Sequence, residues 1–83
     1  MKWTKITYDN HKRQSNIATH GYEFADLDGE FFMSSLVIPA KEDRFMAIGV
    51  LRNGVIAVVF AHIGTEGISI ISMRDASRKE RNL

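Results

Sequence analysis

Eighty-three residues, 45% of them hydrophobic and 25% charged, predict one soluble folded domain over residues 1–83 and exclude both a disordered chain and a second domain. The absence of cysteine excludes a disulfide framework, a thiolate nucleophile and a finger-type zinc site, and fits a reducing cytoplasm. No apolar run approaches the ~20 residues that a membrane span requires, so neither export nor membrane embedding is expected.

The net charge is only +1, but it is segregated. Residues 1–21 carry four bases and one acid, residues 22–43 one base and six acids, and residues 44–83 six bases and three acids. Such a division can build a basic surface for an anion beside an acidic one for a basic partner, or only ordinary solvated faces.

In chain order, KWTKITY alternates Thr4, Ile6 and Tyr8 against Trp3, Lys5 and Thr7, which predicts a short edge strand. Asp9 is placed to cap a helix over NHKRQSNIATH, with Gly21 as its left-handed stop. That helix has little to bury beyond Ile17 and Ala18, so most of it is expected to face water or a ligand. Lys12, Asn16 and His20 recur every fourth residue and form one polar stripe. Phe24, Leu27 and Phe31 lie at helical spacing and predict a second short helix through YEFADLDGEFF. Pro39 confines Leu36–Ile38 to a short edge strand.

RFMAIGVLR and VIAVVFAHI flank Asn53-Gly54, a hairpin signal that predicts a type I′ turn with positive φ at both positions. GTEG then leads to ISIISMR and completes a three-stranded antiparallel meander, apolar on both faces in its middle strand. Ser77 and Glu80 match a capping box and open a short C-terminal helix. Because that helix reaches only Leu83, it is expected either to continue into a longer natural tail or to order against a partner.

A two-residue Asn53-Gly54 loop sets Arg52 opposite Val55, Val50 opposite Ala57 and Phe45 opposite His62. A four-residue GTEG loop sets Ile63 opposite Ile68, His62 opposite Ser69, Val59 opposite Ser72 and Ala57 opposite Arg74. Arg52, Ser72 and Arg74 then share a face, with His62 and Ser69 on the other. A loop one residue longer or shorter would swap Ser69, Ser72 and Arg74. Arg44 shares the arginine face but lies ~27 Å along an extended strand from Arg52. Guanidinium forks beside a hydroxyl suit phosphate, so Arg52 and Arg74 with Ser72 form a candidate anion site; singly, each arginine also fits a solvated turn or strand end. His20 and His62 are candidate proton-transfer groups, with His11 a third. No histidine pair has metal-ligand spacing, and no Gly-rich phosphate loop occurs.

YDNHKRQSNIATHGYEF, EDRFMAIGVL and ISIISMRDASRKER, in this order, resemble the BrnT family of bacterial type II toxins. The resemblance spans nearly the whole chain, and IISMRDASRKER is its most specific block. It implies a RelE-like α+β fold, with an antiparallel sheet, two helices in the N-terminal half and a short C-terminal helix. It also implies metal-independent RNA cleavage without a cofactor in the cytoplasm, and neutralisation in a hetero-oligomer with a BrnA-type antitoxin that alone contacts operon DNA. The family's blocks map onto Asp9, Lys12, Asn16, His20 and Gly21, then Arg44 and Gly49, then Ile70, Ser72, Arg74, Ala76 and Glu80.

On that expectation Arg74 and Arg52 with Ser72 stabilise the reacting phosphate, and His20, His62 and Glu80 are candidates for proton transfer. Lys12, Arg13, Arg44 and Arg78 hold the RNA. The chain departs from the family pattern at Ile63 and Ser69, where relatives often carry arginine, at Met73 and Asp75, and in lacking a terminal aromatic. These departures motivate an alternative, a catalytically weakened homologue that binds antitoxin or RNA. A third reading is a small structural protein whose sheet packs in a homo-oligomer.

Overall fold

The computed structural model describes residues 5–83. Trp3 and Thr4 of the expected first strand lie outside the described residues. From Lys5 the elements are β1 (Lys5–Tyr8), α1 (Asn10–His20), a 3-10 turn (Phe24–Asp26), α2 (Gly29–Ser34), β2 (Leu36–Pro39), β3 (Phe45–Leu51), β4 (Gly54–Ile63), β5 (Gly67–Asp75) and α3 (Arg78–Arg81). The class is α+β, as expected.

The strand order is β1-β5-β4-β3-β2. The sheet is mixed rather than wholly antiparallel, because β1 runs parallel to β5, with Lys5 beside Gly67 and Tyr8 beside Ile70. Parallel neighbours require a long crossover, and the whole of α1 to β4 serves as one. Both predicted edge strands occupy edges.

The expected second helix is split. Glu23 accepts a hydrogen bond from the Ala25 N–H and starts the 3-10 turn, and Asp28 accepts one from the Phe31 N–H at 2.9 Å and starts α2. An Asx side chain that bonds the backbone three residues on is a helix beginning, so it interrupts the run that Phe24, Leu27 and Phe31 suggested. All three aromatic and aliphatic residues are nonetheless buried.

The β3–β4 loop is Arg52-Asn53 rather than Asn53-Gly54, since Leu51 pairs with Gly54 and Val50 with Val55. Positive φ falls on Arg52, at 55°, so the expected type I′ turn is not formed. The pairing is displaced by two residues, which leaves the paired side chains of β3 and β4 on their predicted faces. In this register Phe45 stacks on Phe60 at 6.0 Å between centroids, a core contact that outweighs the turn preference.

The next loop is Gly64-Thr65-Glu66, with Ile63 opposite Gly67, one residue shorter than expected. Ser69 accordingly pairs with Ala61 instead of His62, which puts it on the face of Ser72 and Arg74 rather than on the His62 face where it was expected. A bulge between Val59 and Phe60 then leaves Ile71 as an extra residue and restores the predicted pairs Val59–Ser72 and Ala57–Arg74. A bulge re-aims the side chains beside it, and here those are Ile71 and Ser72.

The core lies between the helical layer and one face of the sheet. Phe24, Leu27, Phe31 and Phe32 pack on Ala47, Ile56, Val58, Phe60, Ile68, Ile70 and Met73. The aromatics meet edge to face, Phe32 and Phe60 at 5.4 Å and Tyr8 and Phe24 at 5.6 Å. Each such buried side chain contributes about 1.5–3 kcal/mol relative to exposure. Contact between α2 and β3 depends on Gly49, where a β-carbon would stand 2.4 Å from the Ser35 hydroxyl and 3.1 Å from the Phe31 ring.

Candidate functional site

Where β1 ends at Tyr8, helix α1 takes over the outer side of β5. The Asp9 cap accepts a hydrogen bond from the His11 N–H, and Gly21, at φ 76°, returns its N–H to the Ile17 carbonyl. Both ends of the helix are therefore set as expected. Its inner face is held by one polar side chain. The Asn16 amide donates to the Met73 carbonyl at 2.9 Å and to the Tyr22 carbonyl at 3.3 Å, and its oxygen accepts from the Met73 N–H at 3.0 Å. Asn16 thus satisfies the strand edge as a neighbouring strand would. At 6% exposure, it is the one buried polar residue among those described.

The stripe beside that anchor lines a concavity. Lys12, Ser15, Asn16, Thr19 and His20 of α1 face Ile71 and Ser72 at the bulge, around a concavity of about 180 Å³. Three predicted site residues, Lys12, His20 and Ser72, are therefore brought together. They supply a cation, an imidazole and a hydroxyl around a space of phosphate scale.

Arg74 extends from β5 two residues beyond Ser72 and on the same face. Its guanidinium donates to both carboxylate oxygens of Glu80, at 2.8 and 2.9 Å, and to the Asp75 carbonyl at 3.1 Å. Glu80 also accepts from the Ser77 N–H at 2.8 Å, and Ser77 returns its hydroxyl to the Glu80 N–H, so the predicted capping box is present. The bonds from Arg74 and then from the Ser77 backbone pull the Glu80 carboxyl down to about 2 from an ordinary 4.5. Glu80 is consequently a fixed anion at neutral pH and a weak base.

The other predicted site residues are placed elsewhere. Arg52 pairs with Asp26 of the 3-10 turn at 2.9 Å and is largely exposed, so it joins the helical layer rather than Arg74. Arg13 donates through two nitrogens to Glu23, an interaction that holds the Glu23 carboxyl below the usual range. It braces α1 against the segment that follows. Arg44 lies 4.0 Å from Glu42 in the loop before β3. Arg78 is exposed on α3. His62 lies on the helix-bearing face, its ring edge-on to Phe45 at 4.8 Å and to Phe60 at 5.8 Å. The Tyr22 hydroxyl donates to Asp75, which raises the tyrosine above its ordinary value.

Sequence reasoning found the stripe but assigned no task to Asn16, and it missed the bulge altogether. The available signal for Asn16 was its place at the centre of a helix nearly devoid of apolar residues. Among the described residues no three His, Asp or Glu side chains come together as a metal-holding group. No helix among them is long and apolar enough to cross a membrane.

These features define a small α+β protein whose sheet edge and flanking helix line a concavity with a lysine, a histidine and a serine. The chain belongs to the BrnT family: the model described as "Ribonuclease toxin, BrnT, of type II toxin-antitoxin system" matches residues 8–80. It is similar to the Brucella abortus ribonuclease toxin BrnT, known from a 1.1 Å crystal structure, at 55% identity and a TM-score of 0.84, with 89% of this chain and 97% of that one covered. Comparison with curated proteins returns no match. The protein is a ribonuclease toxin of a type II toxin-antitoxin system, and its partner class is an antitoxin.

Proposed function

We propose that the toxin cleaves RNA without a metal, in the concavity between α1 and the β5 bulge, on a RelE-like single domain acting in the cytoplasm. The observation that carries this reading is the convergence of Lys12, His20 and Ser72 on one space. Cleavage requires that a 2′-hydroxyl lose its proton as it attacks the adjacent phosphate, that the leaving oxygen gain one, and that the crowded phosphate be stabilised. His20 takes the proton from the 2′-hydroxyl, and the leaving oxygen takes one from water. Lys12 and the Ser72 hydroxyl meet the phosphate oxygens, and Arg74 adds charge at the lip, its plane fixed by Glu80. Glu80 orients rather than titrates. His62, on the other face, and Arg52, bound to Asp26, are left outside this mechanism. Arg44 and Arg78 offer outlying charge to the RNA backbone.

A BrnA-type antitoxin would neutralise the toxin by covering this concavity, and operon DNA would be reached only through that antitoxin. The deciding experiment is cleavage of a labelled, protein-free RNA in excess chelator. Loss of a general acid-base group lowers the rate by ~10²–10⁴-fold, which is the result expected for His20→Ala. Full activity of His20→Ala would overturn the site, and abolition of wild-type cleavage by the chelator would overturn metal independence. Tight RNA or antitoxin binding with no cleavage under any condition would instead identify a binding module.

A further inference from the structure

We infer that Asn16 is a positioning residue of the ribonuclease reaction, setting Lys12 and His20 over the β5 bulge; this inference rests on the site proposed above. Lys12 and His20 stand one helical turn to either side of Asn16, so a shift of Asn16 relative to β5 moves both. Its amide makes a reciprocal pair with both backbone groups of Met73, and the residue next to Met73 is Ser72. A single side chain therefore ties the proton-transfer helix to the strand that carries the hydroxyl.

The helix has few other ways to fix that distance. Its only buried residue is Asn16, and Ile17 remains partly exposed. Arg13 with Glu23 braces α1 to the segment after it, not to β5. The local register of the catalytic face is thus carried by hydrogen bonds whose geometry is fixed to a few tenths of an ångström, rather than by apolar packing that tolerates sliding.

Asn16→Gln tests the idea, because it retains the donor and the acceptor but adds one methylene between them and the helix. A displacement of about 1 Å at a reacting group can cost ~100-fold. The expected result is a folded variant whose kcat falls by ~10–100-fold, with a smaller rise in KM for RNA because Lys12 moves with the helix. In a His20→Ala background the same substitution should cost far less, since the group it displaces is already gone. Asn16→Asp, which keeps the length but loses the donor to Met73, is the second variant, with thermal unfolding measured on each protein. Wild-type kcat in folded Asn16→Gln, or an equal further loss in the His20→Ala background, would overturn the positioning role alone. Full activity of His20→Ala on its own would overturn the site, and with it this inference.

Discussion

Arg74 and Glu80 meet fork to fork, two nitrogens on two oxygens at 2.8 and 2.9 Å, and this pair fastens α3 to the end of β5. A four-residue helix has no stability of its own, so its order comes from the capping box and from this tether. The Glu80 carboxyl titrates at about 2 in the folded protein against 4.5 ordinarily. A depressed folded value means that its contribution is complete above pH ~4.5 and is lost as pH falls from there toward 2. Glu80→Ala should cost about 1–2 kcal/mol at pH 7, between the worth of an exposed pair and that of a charged hydrogen bond held from water. Urea unfolding of both proteins across that range checks it. A difference that stays constant down to pH 2 would show that ionisation of Glu80 is not the source.

Gly49 faces the Phe31 ring of α2 and the Ser35 hydroxyl at that helix's end. A β-carbon there would lie within 2.4 Å of the Ser35 hydroxyl, which is itself held by a 2.6 Å hydrogen bond to the Phe31 carbonyl. Relief would require moving a buried helix or breaking that bond. Gly49→Ala should therefore destabilise by about 1–3 kcal/mol, as overpacking does elsewhere. An unchanged denaturation midpoint would mean that α2 lifts from β3 at little cost.

The helix ends and the faces of β3 and β4 were legible because they depend on local chemistry, whereas Ser69 of β5 fell on the face opposite to the one expected. Asp9, Gly21, Ser77 and Glu80 each act within three or four residues of themselves, and alternation along β4 survives a register shift of two. What escaped was set at long range. The turn at Arg52-Asn53 goes with the stacking of Phe45 on Phe60, the bulge at Ile71 with a loop one residue shorter than expected, and the parallel pairing of β1 with a crossover that spans α1 to β4. The candidate site divided the same way. The stripe of Lys12 and His20 was readable from spacing, whereas the partners of Arg13, Arg52 and Arg74 are carboxylates distant enough in sequence that only the fold selects them.

Asp28 is where the predicted second helix breaks. Its carboxylate accepts the Phe31 N–H at 2.9 Å, and losing an N-cap of this kind costs about 1 kcal/mol. Asp28→Ala should lower stability by that amount, and Asp28→Asn or Asp28→Ser should restore most of it, because each keeps an acceptor at the same place. Equal loss in all three would indicate that the negative charge, rather than the cap, is what Asp28 contributes.

Lys12 and Arg13 are adjacent bases with opposite environments. Lys12 lines the concavity, while Arg13 is turned to Glu23 and held there by two hydrogen bonds. A cation that meets a phosphate releases a counterion, and for single strands each contact adds about 0.7 to the slope of log affinity against log salt. Lys12→Ala should thus weaken binding of a 2′-O-methyl oligonucleotide, which resists cleavage, and reduce that slope by about 0.7. Arg13→Ala should leave the slope nearly unchanged and instead lower stability slightly, because its charge is already engaged by Glu23. Identical slopes for Lys12→Ala and the wild type would remove Lys12 from the phosphate. A reduced slope for Arg13→Ala alone would mean that RNA draws the arginine away from Glu23, reversing the assignment of the two residues.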